Sequence, residues 1–140
     1  MRNTKVLYRP VGINELTKII DLDLQGFPPR LSWQPIFYPV LNFEYAEQIA
    51  RDWNAKSDEG VGFVTRFAVN AEYLSQFEVQ TVGGPSHQEL WVPAEELDNF
   101  NRMIAGKIEV VSVYYSEKFD RDLMTPDIKE LLKHNNHGNK

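Results

Sequence analysis

Apolar residues repeat along this chain with two periods, which predict helices in some segments and strands in others. Spacings of three and four residues, or helix-boundary residues, predict helices over these segments: 13–23, 43–54, the stretch from Pro93 to Gly106, and 126–134. Alternating or β-branched segments predict strands over these: 5–8, 61–69, 77–82, 87–93 and 108–115. A single helical turn is expected between the second and third of these strands.

Prolines and glycines mark the predicted boundaries. Pro10 is expected to stop the first strand, and Gly106 is expected to end the helix that Pro93 begins. Asn42 is a plausible N-cap for the helix over 43–54. The resulting order is typical of an α+β fold with a mixed or antiparallel sheet and three to four short helices, not of a repeating βαβ fold.

The length of 140 residues fits a single domain with a core of its own. We expect that domain to cover residues 1–117. Residues 118–140 are expected to form a C-terminal extension, with a short helix and then a frayed end from residue 134 onward.

Composition narrows the function classes. The net charge of −5 disfavours a general nucleic-acid or anionic-membrane surface, because phosphate binding needs a basic patch. Cysteine is absent, which excludes disulfides and thiolate chemistry. Two of the three histidines fall in the predicted tail, so no metal site is expected. With no signal-like start and no long apolar run, a cytoplasmic location is expected.

The segment from His87 to Pro93 carries the clearest candidate chemistry. Because side chains alternate along a strand, Leu90 and Val92 should point to one face of the sheet and Glu89 and Trp91 to the other. A carboxylate beside a tryptophan suggests a ligand cleft.

Within such a cleft, Glu89 can accept a hydrogen bond from a sugar hydroxyl or stabilise a developing cation. The alternative is a glutamate at the sheet rim that pairs with Arg9 or Lys107.

Two further positions are candidates for ligand binding. Arg9, at the end of the first strand, can fork onto a phosphate or carboxylate, although an ion pair with a neighbouring acid is the commoner arrangement. In the extended piece before the second helix, Phe37 is expected in the core. Tyr38 then faces the other way and can stack on a flat ring.

Taken together, these features resemble the ADP-ribosyltransferase superfamily, whose small split-sheet domain binds NAD. Members use an arginine or histidine in a first motif, a tyrosine or serine in a second, and a glutamate in a third. The matching segments here are Leu7-Tyr8-Arg9, Phe37-Tyr38 and Gln88-Glu89-Leu90-Trp91-Val92-Pro93. The chain is also similar to a small bacterial family of about this length, labelled ADP-ribosylation/crystallin J1, over all but the last two dozen residues.

The resemblance implies an NAD-dependent ADP-ribosyltransferase or NAD glycohydrolase, with NAD as substrate and no metal. Arg9 would clamp the pyrophosphate or adjacent ribose, Tyr38 would stack on the nicotinamide, and Glu89 would stabilise the ribosyl oxocarbenium. His87 stands where arginine-modifying members have glutamate or glutamine, so the acceptor is left open. The alternative is a non-catalytic module on the same fold that binds a nucleotide, or a protein through Trp33 and Trp91.

Overall fold

Seven strands and five α-helices make up the described part of the chain, one helix more than the upper end of the predicted range. The structure is a computed structural model that describes residues 3–135. The strands are β1 (Thr4–Val11), β2 (Ile36–Phe37), β3 (Val61–Asn70), β4 (Val79–Thr81), β5 (Gln88–Leu90), β6 (Val92–Pro93) and β7 (Ile104–Tyr115). The helices are α1 (Ile13–Asp21), α2 (Phe43–Ile49), α3 (Ala71–Leu74), α4 (Leu97–Arg102) and α5 (Pro126–Asn135).

The centre of the fold is a three-stranded sheet in the order β1-β3-β7. β3 lies in the middle, and its first five residues, 61–65, are all buried, so both faces of the strand are covered. Phe63 and Phe67 lie in the larger core, while Val64 lies in a second, smaller core under α2. The alternation predicted for this strand therefore separates two cores.

The larger core also takes in α1, α4 and α5. Its fully buried members include Leu7, Leu16, Phe100 and Ile128. Ile128 belongs to α5, so the segment after residue 117 packs into the same core as the rest of the chain. The sequence predicts a frayed end from residue 134 onward. The backbone of residues 134 and 135 still belongs to α5, and residues 136–140 lie outside the described residues.

A second ladder joins residues 36–41 to residues 88–93. Phe37 pairs with Val92 and Val40 with Glu89, and the backbone N–H of Leu90 donates to the carbonyl of Pro39 at 2.9 Å. One antiparallel register accounts for all of these contacts. Together the elements form a single small α+β domain, in which every strand pair of the described residues is antiparallel.

The prediction that Pro10 stops the first strand is wrong. β1 continues through Pro10, which pairs with Val64, to Val11. The N–H of Tyr8 points away from β3, toward Val40, so the nitrogen of Pro10, two residues later, also faces the outer edge. A missing donor there costs the β1–β3 ladder nothing.

The predicted boundary at Gly106 is also wrong. α4 ends at Arg102, and Gly106 lies inside β7 with φ of 78°. Between Arg66 and Ala68 of β3 the register shifts, because β7 carries extra residues there. A glycine with positive φ is what such a bulge requires, so this glycine bends a strand and does not end a helix.

After α2 the helix continues as a π-helical segment, Ala50–Asn54, which packs on β3. Asn42 caps α2 as predicted, its side chain accepting from the N–H of Tyr45 at 2.8 Å. Among residues 3–135, no helix combines the length and apolar character needed to cross a bilayer.

We predict that Gly62→Ala destabilises the fold by about 1–3 kcal/mol, the usual cost of overpacking. A Cβ at this position would clash with the carbonyl oxygen of Ala50 and would lie 2.8 Å from Cβ of Asn54. The free energy of unfolding in urea measures the effect. Gly84→Ala is the control, because its nearest neighbour lies at 3.7 Å. Equal stabilities of the two variants would contradict close packing of the π-helical segment on β3.

Candidate functional site

All three side chains predicted to act on a ligand border one pocket of about 460 Å³. This volume lies within the range of small-molecule sites. The lining residues are Arg9, Pro10, Tyr38, Val40, Ile49, Asn54, Glu89 and Trp91. The pocket opens at the rim of the sheet, between the end of β1 and the ladder formed by residues 36–41 and 88–93.

The register of this ladder explains how Tyr38, Glu89 and Trp91 meet. Val40 pairs with Glu89, and the same register sets Tyr38 opposite Trp91. Opposed residues share a face of a sheet, and so do residues two apart. The pocket face therefore carries these side chains, while Phe37, Leu90 and Val92 are buried on the other face, as the alternation predicts.

Pro10 determines where the pocket begins. Tyr8 and Val40 exchange two backbone hydrogen bonds, of 2.9 and 2.8 Å. The next rung of that ladder would join the N–H of residue 10 to the carbonyl of Tyr38, and proline has no N–H to donate. That carbonyl instead accepts from Nη1 of Arg9 at 3.4 Å. Pairing stops at this point and leaves room for a ligand.

Arg9 is held mainly by Glu15 of α1. Nε donates to Oε2 of Glu15 at 2.6 Å and Nη2 to Oε1 at 3.0 Å, a forked ion pair. The guanidinium also lies over the ring of Phe37, 4.7 Å from its centre, and the Arg9 side chain is only 11% exposed. Of the two interpretations of Arg9, ligand binding and an ion pair with a neighbouring acid, the structure shows the ion pair. Nη1 is the nitrogen that Glu15 leaves available to the pocket.

Glu89 is half-buried and accepts a hydrogen bond from the indole N–H of Trp91 at 3.2 Å. Within the described part of the chain, no lysine or arginine forms an ion pair with it. The two partners considered for it are engaged elsewhere: Arg9 with Glu15, and Lys107 with Asp23. Its carboxylate therefore faces the pocket without a positive partner.

The electrostatic effect of Glu89 reaches a neighbouring residue. Burial raises the pKa of Tyr45 above its ordinary value, and the negative charge of Glu89 raises it further. The ring of Tyr45 stacks on His87 at 4.5 Å, and His87 contacts the side chain of Gln48 at 3.1 Å. The imidazole thus helps to attach β5 to α2.

The aromatic pair in residues 36–40 divides as expected. Phe37 is 1% exposed in the main core, whereas Tyr38 is 40% exposed at the pocket. Trp91, opposite Tyr38, is 45% exposed. Two aromatic surfaces therefore border the pocket on the same face as Glu89.

Sequence reasoning missed Glu15 and Asn54. Glu15 lies in the first turn of α1, where an acid is ordinary, and nothing local identifies it as the partner of Arg9. Asn54 enters the pocket because α2 continues as a π-helix, a feature often found at functional sites. Its side-chain carbonyl oxygen, Oδ1, is buried and has no hydrogen-bond partner among the described residues.

No group of three or more histidine, aspartate or glutamate side chains in the described residues is arranged to hold a metal ion.

Comparisons of the chain with protein-family models, with curated proteins and with solved structures found no match.

We predict that Glu15→Gln lowers the free energy of unfolding by about 2–3 kcal/mol, because it leaves a largely buried guanidinium without its negative partner. Asp52→Asn is the matched control. It removes the acid from the Arg51–Asp52 pair, whose side chains are both exposed, and should leave the free energy of unfolding close to that of the parent. Urea denaturation measures both. Similar losses for the two variants would show that the Arg9–Glu15 pair has no special structural weight.

Proposed function

We propose that this pocket binds NAD and that Glu89 promotes cleavage of the bond between nicotinamide and ribose. The chain would then act as an ADP-ribosyltransferase or an NAD glycohydrolase. The observation that carries the proposal is the meeting of Arg9, Tyr38 and Glu89, which are far apart in sequence, around a single pocket. Their residue types and order along the chain resemble those of the ADP-ribosyltransferase superfamily.

The chemistry needs a carboxylate that is charged, oriented and free of a cation. When the glycosidic C–N bond breaks, its electron pair leaves with nicotinamide, and the ribosyl carbon becomes an oxocarbenium ion. Glu89 would accept a hydrogen bond from the ribose 2′-hydroxyl and stabilise that positive charge, which is largest in the transition state. The indole N–H of Trp91 fixes one carboxylate oxygen and leaves the other for this contact. A protein acceptor or water then attacks the ribosyl carbon.

The aromatic residues suit the leaving group. Nicotinamide is flat, and the exposed rings of Tyr38 and Trp91 lie on the face that carries Glu89. Arg9 would contact the ribose or the phosphate through Nη1, because Glu15 already occupies its fork. An ADP-ribosyltransferase-like fold belongs to the same proposal, and the small antiparallel sheet with short helices supports it.

The second candidate is a binding module on this fold that holds a nucleotide without cleaving it. The Arg9–Glu15 pair favours a non-catalytic role, because an arginine engaged on both nitrogens of its fork is poorly placed to hold the diphosphate of NAD for cleavage. A module that binds a protein instead would use Trp33, which is 73% exposed, together with Trp91.

We predict that Glu89→Ala lowers the rate of nicotinamide release from NAD by at least about 100-fold, the size of effect expected for a group that acts in the transition state. NAD binding should remain detectable by the shift in the thermal unfolding midpoint. The rate of nicotinamide release in single-turnover reactions measures the first effect.

Glu95→Ala is the control for this experiment, because Glu95 is exposed and lies outside the pocket. It should cleave NAD at the parent rate. A Glu89→Ala variant as active as the parent would overturn the catalytic role of Glu89. A parent chain that binds NAD without releasing nicotinamide would favour the binding module.

A further inference from the structure

A second cavity, of about 470 Å³, adjoins the proposed NAD pocket. It is bordered by α1 and the proline-rich loop over 26–35, and Asn54 lines both cavities. Four charged residues lie in its wall: Glu15, Lys18, Arg30 and Glu59. Which of these charges are already compensated decides what the cavity can bind.

Both acids are occupied within the fold. Glu15 is bonded to Arg9 through both carboxylate oxygens. Glu59 lies at the start of α1, where its Oε1 accepts from the backbone N–H of Asn14 at 3.2 Å. Its Oε2 accepts from the Asn14 side-chain amide at 3.0 Å. A carboxylate at the positive end of a helix has its charge compensated there.

Both cations lack such partners. Neither Arg30 nor Lys18 forms an ion pair with any residue in the described range. Nε of Arg30 donates to the carbonyl of Ile36 at 3.1 Å, which fixes the side chain and leaves both terminal nitrogens free of protein partners in that range. The cavity wall therefore carries two cations without an ion-pair partner among the described residues, against one acid, Glu59, whose charge is offset only by the helix end and the Asn14 amide.

Arg30 is also close to the first pocket. Burial lowers the pKa of its guanidinium, the neighbouring positive charge of Arg9 lowers it further, and the negative charge of Glu15 acts in the opposite direction. Because Glu15 already neutralises Arg9, the charge left to stabilise a bound anion here is that of Arg30.

We propose that Arg30 and Lys18 bind the diphosphate of a dinucleotide whose nicotinamide end lies against Tyr38 and Trp91. This proposal rests on the proposed function and goes beyond it, since it assigns the phosphate contacts to residues outside the three motifs. Guanidinium nitrogens form two parallel hydrogen bonds to a phosphate, and Arg30 has both terminal nitrogens available where Arg9 has only Nη1.

Asn54 supports a ligand that spans the two cavities. It lines both cavities and so lies at their junction, where a ligand that occupies both would pass it.

The test is to measure dissociation constants by isothermal titration calorimetry for three probes: NAD, ADP-ribose and nicotinamide riboside. ADP-ribose has the diphosphate without nicotinamide, and nicotinamide riboside has nicotinamide without phosphate. Arg30→Gln should weaken NAD and ADP-ribose by at least about tenfold and change nicotinamide riboside by less than about twofold. Lys18→Gln, at an exposed position on α1, should weaken the same two probes by a smaller factor.

Arg66→Gln is the matched charge control, because Arg66 pairs with Glu109 and borders neither cavity. It should bind all three probes like the parent. Arg30→Lys keeps the charge and should bind ADP-ribose more tightly than Arg30→Gln, which separates loss of charge from loss of the Ile36 contact.

Failure of this proposal and failure of the proposed function give different results. If ADP-ribose affinity depends on Arg30 while NAD is never cleaved, the subsite stands and the catalytic proposal falls. The subsite is overturned if the parent does not bind ADP-ribose, or if Arg30→Gln binds it as tightly as the parent. An equal loss for nicotinamide riboside would also overturn it, because a damaged fold weakens every probe.

Discussion

The backbone hydrogen bonds around Val40 determine the arrangement of this molecule's candidate site. Val40 exchanges two hydrogen bonds with Tyr8 of β1, and its neighbour Leu41 donates to the carbonyl of Gln88 at 3.0 Å. Buried backbone donors and acceptors must be paired. Residues 38–41 do not belong to a long strand whose ladder would pair them, so they depend on β1 and on residues 88–91. Val40 therefore lies between β1 and β5, and this position brings residues from three distant parts of the chain to one rim. Without the hydrogen bonds of Val40 and Leu41, Arg9 and Glu89 would lie on separate sheet edges.

The same residues that build the core also shape the pocket. Along residues 36–41 one face is buried and the other borders the pocket, so Phe37 and Tyr38 contribute to different functions from adjacent positions. Pro10 leaves the β1–β3 ladder intact, but it has no N–H to donate to Tyr38, so the pairing of β1 with residues 38–40 stops there. The site opens at this point without weakening the central sheet. Arg9 is neutralised by Glu15, and this ion pair both stabilises the wall of the pocket and limits what Arg9 offers to a ligand. These constraints explain why the phosphate contacts fall more naturally to Arg30.

The sequence predicted what depends on local alternation and missed what depends on distant partners. Period two was enough to separate Glu89 and Trp91 from Leu90 and Val92, because the alternation of side chains needs no knowledge of the neighbouring strand. The continuation of β1 through Pro10 depends on which edge its nitrogen faces, and that is fixed by pairing with β3 and Val40. Gly106 depends on a register shift between β3 and β7, and the partner of Arg9 depends on the packing of α1. Such features follow from tertiary context, which a local pattern does not contain.

Amide hydrogen exchange measured by NMR reports whether the hydrogen bonds around Val40 persist in solution. We expect the amides of Val40, Leu41 and Leu90 to be protected to within about tenfold of those at the centre of β3, since they open only with the sheet. Exchange of these three amides at the rates of exposed loops, while β3 stays protected, would contradict this expectation. The segment would then be loosely attached, and the pocket would not be a fixed feature of the fold.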